Sequence, residues 1–214
     1  MTAQPVGPEA LAAALAARLI HDFSGPASGV VTGLDLQEAS TDPALRESGL
    51  ALAAESARAL LVMLEISRVA FGAPGGSQTA QTLGRLANAC FAGKRATLEW
   101  TPGAAIFDGG ASRVALLLCQ IAVAGLGAGG VAELSSSLSA GEWRLCLDCR
   151  GPRAVLPAEV VEGLCDESIP GDVVGGRGAP ARYLQAVTAA GGGRATYATL
   201  TDGFSVAVTL HAIS

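Results

Sequence analysis

Histidine is scarce in this chain, with only His21 and His211 among 214 residues. Basic residues are few as well: 14 Lys plus Arg stand against 19 Asp plus Glu, for a formal charge of −5. Phosphate neutralisation needs a basic surface, so this balance argues against nucleic acid as a direct partner. No apolar run reaches the roughly 20 residues that cross a bilayer. The longest, within Val114 to Ala128, is broken by Gln120. Met1 to Pro8 lacks the basic segment that opens a secretion signal, and the Ala/Leu stretch after it is amphipathic. The chain is therefore expected to be cytoplasmic and free of membrane, and its odd set of five cysteines to be reduced thiols.

Several metal and nucleotide signatures are incomplete. Cys146-Leu147-Asp148-Cys149 has the spacing of half a zinc or redox site, but no second cysteine pair exists and His211 is distant. The pair also lies in an alternating run, Trp143 to Cys149, that predicts a strand, where residues three apart face opposite ways. No metal site is expected. Gly125-Leu126-Gly127-Ala128-Gly129-Gly130 fits G-x-G-x-x-G, yet a dinucleotide site needs a strand before the glycines and a helix after them. Here the predicted order is reversed. Gly93-Lys94-Arg95 lacks the upstream glycine and the hydroxyl residue of a phosphate-binding loop.

What is present is apolar residue, 50% of the chain, enough for the cores of two compact units. Breakers from Phe71 to Thr79, including Gly72-Ala73-Pro74-Gly75-Gly76-Ser77, divide it into residues 1–73 and 79–214. Before them, the periodicity predicts two long helices, from about Pro8 to Ser40 and from Pro43 onward, with Asp42 as N-cap and Pro43 in the first helical position. The short connection implies an antiparallel hairpin. Its second helix carries Leu45, Leu52, Leu60, Met63 and Leu64, an apolar face that two hairpins would bury in a four-helix bundle, so a homodimer is expected. After the breakers, strands are predicted at Ala96–Trp100, Ala104–Asp108, Val131–Leu138 and Trp143–Cys149, with a closing hairpin of Arg194–Leu200 and Phe204–Leu210. Helices are predicted at Ser112–Leu126, Pro157–Cys165 and Ala179–Ala190. The fold class is α+β: a helical hairpin followed by an α/β sandwich.

His21 stands out within the first helix. Leu11, Leu15, Leu19, Phe23, Val30 and Leu34 share one stripe, and His21, about 200° on from Leu19, points away from its middle. Ala14, Ala17, Gly25, Ser28 and Thr32 share the histidine's face, and all are small enough to let another surface approach the imidazole. Pro26 withholds a backbone donor from the Asp22 carbonyl, which predicts a kink one turn later.

His21-Asp22-x-x-x-Pro26, followed by a long helix and a helical return, resembles the phosphoacceptor region of two-component sensor kinases. Gly25 stands where many of those kinases carry the Thr or Asn associated with dephosphorylating a partner. Thr32-Gly33-Leu34-Asp35-Leu36, Gly151-Pro152-Arg153 and Ala190-Gly191-Gly192-Gly193-Arg194 more specifically resemble alphaproteobacterial histidine phosphotransferases of the ChpT type. The resemblance implies that the second unit has the histidine-kinase ATP-binding fold in degenerate form. Val123 stands where the kinases place a magnesium-holding asparagine, and valine cannot coordinate a cation. Cys149 stands where they place the adenine-recognising carboxylate before Gly151-Pro152, with Asp148 one residue out of register. Of the glycine-rich lid only Gly175-Gly176-Arg177-Gly178 survives.

The implied activity is reversible phosphoryl transfer through His21, without ATP or any bound cofactor, Mg2+ coming from the partner. An imidazole keeps a neutral nucleophilic nitrogen at cytoplasmic pH. Asp22 would orient it or accept its proton. Arg18, Ser24, Gly25, Ser28 and Thr32 would form the docking face, with Arg18 stabilising phosphate charge or pairing with Asp22. By resemblance, the donor is the receiver domain of a hybrid histidine kinase, and the acceptors are response regulators similar to CtrA and CpdR of the cell-cycle relay. Two alternatives are an active histidine kinase and a non-catalytic dimeric scaffold.

Overall fold

The computed structural model describes residues 7–73, 76–165 and 176–212. Helix α1 (Pro8–Ala39) and helix α2 (Pro43–Phe71) form the antiparallel hairpin that the short connection implies. The Asp42 carboxylate caps α2 by accepting the Ala44 N–H at 2.9 Å, and Pro43 occupies the first turn, where its missing donor is harmless. Pro26 lies inside α1, which continues beyond it as one helix.

The two helices meet backbone to backbone. Gly33 and Gly49 are buried, and a Cβ placed on Gly33 would stand 2.5 Å from the Gly49 carbonyl oxygen and 2.6 Å from the Ala53 nitrogen. A Cβ on Gly49 would likewise stand 2.5 Å from the Gly33 carbonyl oxygen. Only glycine permits that approach. One consequence departs from the predicted stripe: Leu34 is exposed, because Gly33, one residue earlier, faces the partner helix.

In the second unit, helix α3 (Ala80–Ala89) packs ahead of the first predicted strand, at a place where the alternation pattern marked no helix. Thr79 caps it, its hydroxyl accepting the Thr82 N–H at 3.1 Å, and Leu83, Leu86 and Ala87 are buried at helical spacing. The strand expected at Ala104–Asp108 shrinks to β3 (Ile106–Phe107), which pairs with β1 (Gln78–Thr79) apart from the main sheet. Asp108 ends it by capping helix α4 (Gly109–Gly125), accepting the Ala111 N–H at 2.8 Å.

The main sheet contains β2 (Ala96–Thr101), β4 (Gly130–Ser139), β5 (Glu142–Arg150), β6 (Arg194–Leu200) and β7 (Gly203–His211), in the order β2-β4-β5-β7-β6. Among the described strands of this sheet, only β2 and β4 run parallel. Their connection is α4, whose run from Val114 to Cys119 is fully buried, as expected of a helix that is apolar on every side. The turn between β4 and β5 uses Ala140 (φ 51°) and Gly141 (φ 76°), the left-handed pair that two-residue hairpins require. Helices α5 (Ala158–Cys165) and α6 (Ala179–Ala190) complete the layer beside α4.

Hairpin and sheet unit share contacts at the end of α2. Ala70 is fully buried and belongs to the same core as α4, and Phe71 lies 5.7 Å from the Tyr183 ring of α6. Arg113 of α4 donates to the Gly72 carbonyl at 2.6 Å, and Arg85 pairs with Glu65 at 2.8 Å. The breaker segment follows Phe71, with Pro74 and Gly75 lying outside the described residues.

The cysteines divide by environment. Burial pushes the Cys119 thiol well up and those of Cys90 and Cys149 up to about 12, Asp148 adding to the effect at Cys149. At pH 8 only ~10⁻⁴ of a thiol with a pKa near 12 is thiolate, the form that alkylates. Iodoacetamide should therefore label exposed Cys165 first and half-buried Cys146 next, and reach Cys90, Cys119 and Cys149 only after denaturation. Peptide mapping of native protein checks this; rapid labelling of Cys119 would contradict the packing. Cys146 and Cys149 occupy β5 with opposite facing, and among the described residues no cluster of three or more His, Cys, Asp or Glu could hold a metal.

Candidate functional site

His21 projects from the middle of α1 with 86% of its side chain exposed. Its Nδ1 lies 3.2 Å from Asp22 Oδ1, while the other oxygen of that carboxylate accepts a hydrogen bond from Arg18 Nε at 2.8 Å. Arg18 and Asp22 are one helical turn apart, which allows the pair to form on one face. Both are about 30% exposed, or less, so a 2.8 Å charge-assisted bond is only partly screened by solvent. The three side chains make a chain, Arg18 to Asp22 to His21, that fixes the carboxylate relative to the imidazole. When Nδ1 carries the ring proton it donates to Asp22, leaving Nε2 with its lone pair.

The remaining residues of the expected docking face are distributed along α1. Ser24, Gly25, Ser28 and Thr32 are all exposed, and a Cβ added at Gly25 would have no neighbour within 4 Å outside its flanking residues. The Ser24 hydroxyl donates back to the Ile20 carbonyl at 2.7 Å, within its own helix. Ala17 is exposed too, but Ala14 is buried at 7%, so the small-residue face does not extend unbroken toward the start of α1. Two residues missed in the sequence also belong to this surface: Ile20 and Val31 are 68% and 58% exposed. Ile20 follows Leu19 by about 100° on the helical wheel and Val31 lies nearly in line with it, a signal that was available from periodicity alone.

The positions compared with kinase nucleotide motifs lie in the sheet unit. Val123 is half-buried on α4, and Cys149 is buried on β5 with its thiol held neutral by desolvation. Asp148, one residue earlier, faces the other side of the sheet, between Glu133 of β4 and Ser205 of β7. It cannot replace a carboxylate at position 149. Gly125 closes α4 and Gly130 opens β4, so the G-x-G-x-x-G glycines follow a helix and precede a strand, the reverse of a dinucleotide site. Gly176-Arg177-Gly178 forms a turn ahead of α6, while Gly175 lies outside the described residues.

A helical hairpin that displays a carboxylate-paired histidine, joined to a five-stranded mixed sheet layered with helices, defines a histidine-presenting protein of the α+β class. Residues 80–202, more than half of the chain, match the family described as histidine phosphotransferase C-terminal domain, and the chain belongs to that family, as the likeness to ChpT-type proteins implied. A role in phosphoryl transfer goes with that membership. The matched segment covers most of the sheet unit, stopping before β7, and does not include His21.

A solved structure described as a bacterial phosphotransferase shares the fold over nearly the whole chain, with a TM-score of 0.79 and 19% identity, covering 96% of this chain and 98% of that one. The Acinetobacter baumannii histidine kinase AdeS aligns at a TM-score of 0.48 and 13% identity, over 92% and 96% of the two chains. The histidine kinase domain of the Erythrobacter litoralis EL346 blue-light activated kinase aligns at 0.48 and 15%, over 88% and 94%. No curated protein matches the chain. No helix among the described residues is long and apolar enough to cross a membrane.

Proposed function

We propose that this chain is a phosphorelay histidine phosphotransferase. It takes a phosphoryl group from an aspartyl phosphate on the receiver domain of a hybrid kinase and passes it through His21 to aspartates of response regulators. The observation that carries this is the Arg18–Asp22–His21 chain on an exposed helix face.

Nε2 of His21 attacks the phosphorus of the aspartyl phosphate, a P–N bond forms as the P–O bond to the aspartate breaks, and the receiver is left with a free carboxylate. Asp22 balances the positive charge that grows on the imidazole, either through the Nδ1 hydrogen bond or by taking that proton. Arg18 holds Asp22 in place. The return step reverses these bond changes with a second receiver. Mg2+ enters with the partner's acidic pocket, and receivers resembling those of CtrA and CpdR are the proposed acceptors. They dock along Ser24, Gly25, Ser28 and Thr32, beside Ile20 and Val31.

ATP has no part in this scheme. A neutral buried thiol at Cys149 offers no carboxylate for an adenine amino group, and Val123 offers no oxygen for a cation. Leu45, Leu52 and Leu64 are exposed on α2 of the single chain, and we assign them to a homodimeric four-helix bundle. Sedimentation should give a dimer; a monodisperse monomer would remove the bundle.

The deciding experiment mixes purified protein with a labelled, phosphorylated receiver domain and includes an ATP-only arm. Acid-labile, base-stable label that requires the receiver supports the transferase. Label from ATP alone would mean a kinase, and no label from a panel of receivers would favour the scaffold. Asp22→Asn removes the charge but keeps the shape, so transfer should slow by about 10²-fold, within the range for a lost acid–base partner. Arg18→Ala should cost less, because Asp22 remains. Equal rates for wild type and Asp22→Asn would confine Asp22 to a structural part.

A further inference from the structure

A cleft of about 650 Å³ opens between the first turns of α4, the outer half of α6 and the end of β7. That volume lies within the range of small-molecule sites. Among its described lining residues none belongs to α1 or α2, and none is Val123, Cys149 or Gly151, so it is separate both from the His21 surface and from the nucleotide-motif positions. Val187, Ala190 and Leu210 supply apolar wall, and Tyr183 an aromatic one.

Its cation is Arg113. Nη2 of Arg113 donates to the Gly72 carbonyl at 2.6 Å, and the guanidinium carbon lies 5.9 Å from the centre of the Tyr183 ring. Nε is buried and makes no hydrogen bond among the described residues, and none of the ion pairs found there includes Arg113. Asp108 also borders the cleft, but Oδ1 accepts the Ala111 N–H and Oδ2 accepts the indole N–H of Trp143, each at 2.8 Å. Both of its carboxylate oxygens therefore already accept hydrogen bonds. A guanidinium that lines the cleft and has no ion-pair partner among the described residues can make a charge-assisted bond to a ligand anion.

We propose that this cleft binds a small aromatic carboxylate, its ring against Val187, Ala190 and Leu210 and its carboxylate on the Arg113 guanidinium. Neutral ligands of the same shape gain the apolar contact without the charge-assisted bond. The site abuts the joint between hairpin and sheet unit, because the same guanidinium clasps the carbonyl that follows α2. The proposal does not depend on what His21 does.

The test titrates the full-length chain with 2-naphthoate and with 2-naphthamide by calorimetry, in wild type and in Ala190→Trp, whose indole would fill the cleft from an exposed position. Ala186→Trp, also exposed and on the lining, serves if the first variant does not fold. Saturable 1:1 binding of 2-naphthoate is expected, with 2-naphthamide at least about tenfold weaker and the tryptophan variant weakened by a similar factor. Equal binding of acid and amide, equal binding by the filled variant, or no saturation by about 10 mM would each overturn the proposal.

Discussion

His21→Ala is expected to remove phosphoryl acceptance from a labelled receiver altogether, a loss of at least about 10³-fold, limited by detection. In the proposed transfer the imidazole nitrogen forms the bond to phosphorus, and neither polar neighbour is placed to substitute. Asp22 is a weaker nucleophile tied to Arg18, and Ser24 donates its hydroxyl hydrogen into its own helix. The substitution should leave the fold alone, since 86% of the side chain is in solvent and its one polar contact among the described residues is the Asp22 oxygen at 3.2 Å. Circular dichroism and thermal unfolding should match wild type. Label that survives on His21→Ala with the same acid lability would place the acceptor elsewhere.

Gly33→Ala is expected to destabilise the hairpin, although an alanine inside a helix ordinarily gains about 1 kcal/mol over glycine. Steric contact decides the sign. The new methyl would stand 2.5 Å from the Gly49 carbonyl oxygen and 2.6 Å from the Ala53 nitrogen, and both are backbone atoms that cannot swing aside as a side chain can. Relief requires the helices to separate, which also loosens the packing of Ala53. Overpacking of this kind costs about 1–3 kcal/mol, enough to outweigh the propensity gain, and a larger residue at this position should cost more. Gly127→Ala is the control: its added methyl meets nothing within 4 Å, and its effect should stay within about 0.5 kcal/mol. Urea unfolding followed by helical ellipticity measures both. A Gly33→Ala protein as stable as wild type would mean that the helices cross less closely than described.

Much of the candidate site was legible before any fold was known. The 3.6-residue period alone turned His21 away from the apolar stripe, and the i,i+4 spacing of Arg18 and Asp22 put their charges within reach. The same period overreached at Leu34 and Ala14. It reports a direction around the helix, whereas burial depends on which neighbour stands there: Gly33 takes the contact with α2 while Leu34 remains in solvent, and Ala14 is covered while Ala17, three residues on, is open. Helix α3 was missed because its signals, the Thr79 cap and the Leu83, Leu86 and Ala87 set, occupy only ten residues directly after a breaker-rich segment. Strand β3 was overextended because alternation at 104–108 competes with the cap at Asp108, and the cap prevails.

By itself, the sequence determined what neighbouring residues settle among themselves: the cap at Asp42 and Pro43, the alternation of β4 and β5, the placement of His21 beside a carboxylate, and the hairpin topology imposed by a short loop. Only the tertiary structure decided what depends on residues far apart in the chain. The parallel pairing of β2 with β4, the close crossing at Gly33 and Gly49, the bond from Trp143 to Asp108 across 35 positions, and the clasp of Arg113 on Gly72 across 41 belong to that second class. Capping and periodicity are energies of adjacent turns and are written locally. Which backbones touch, and which cation ends beside an open cleft, follow from packing the whole core at once.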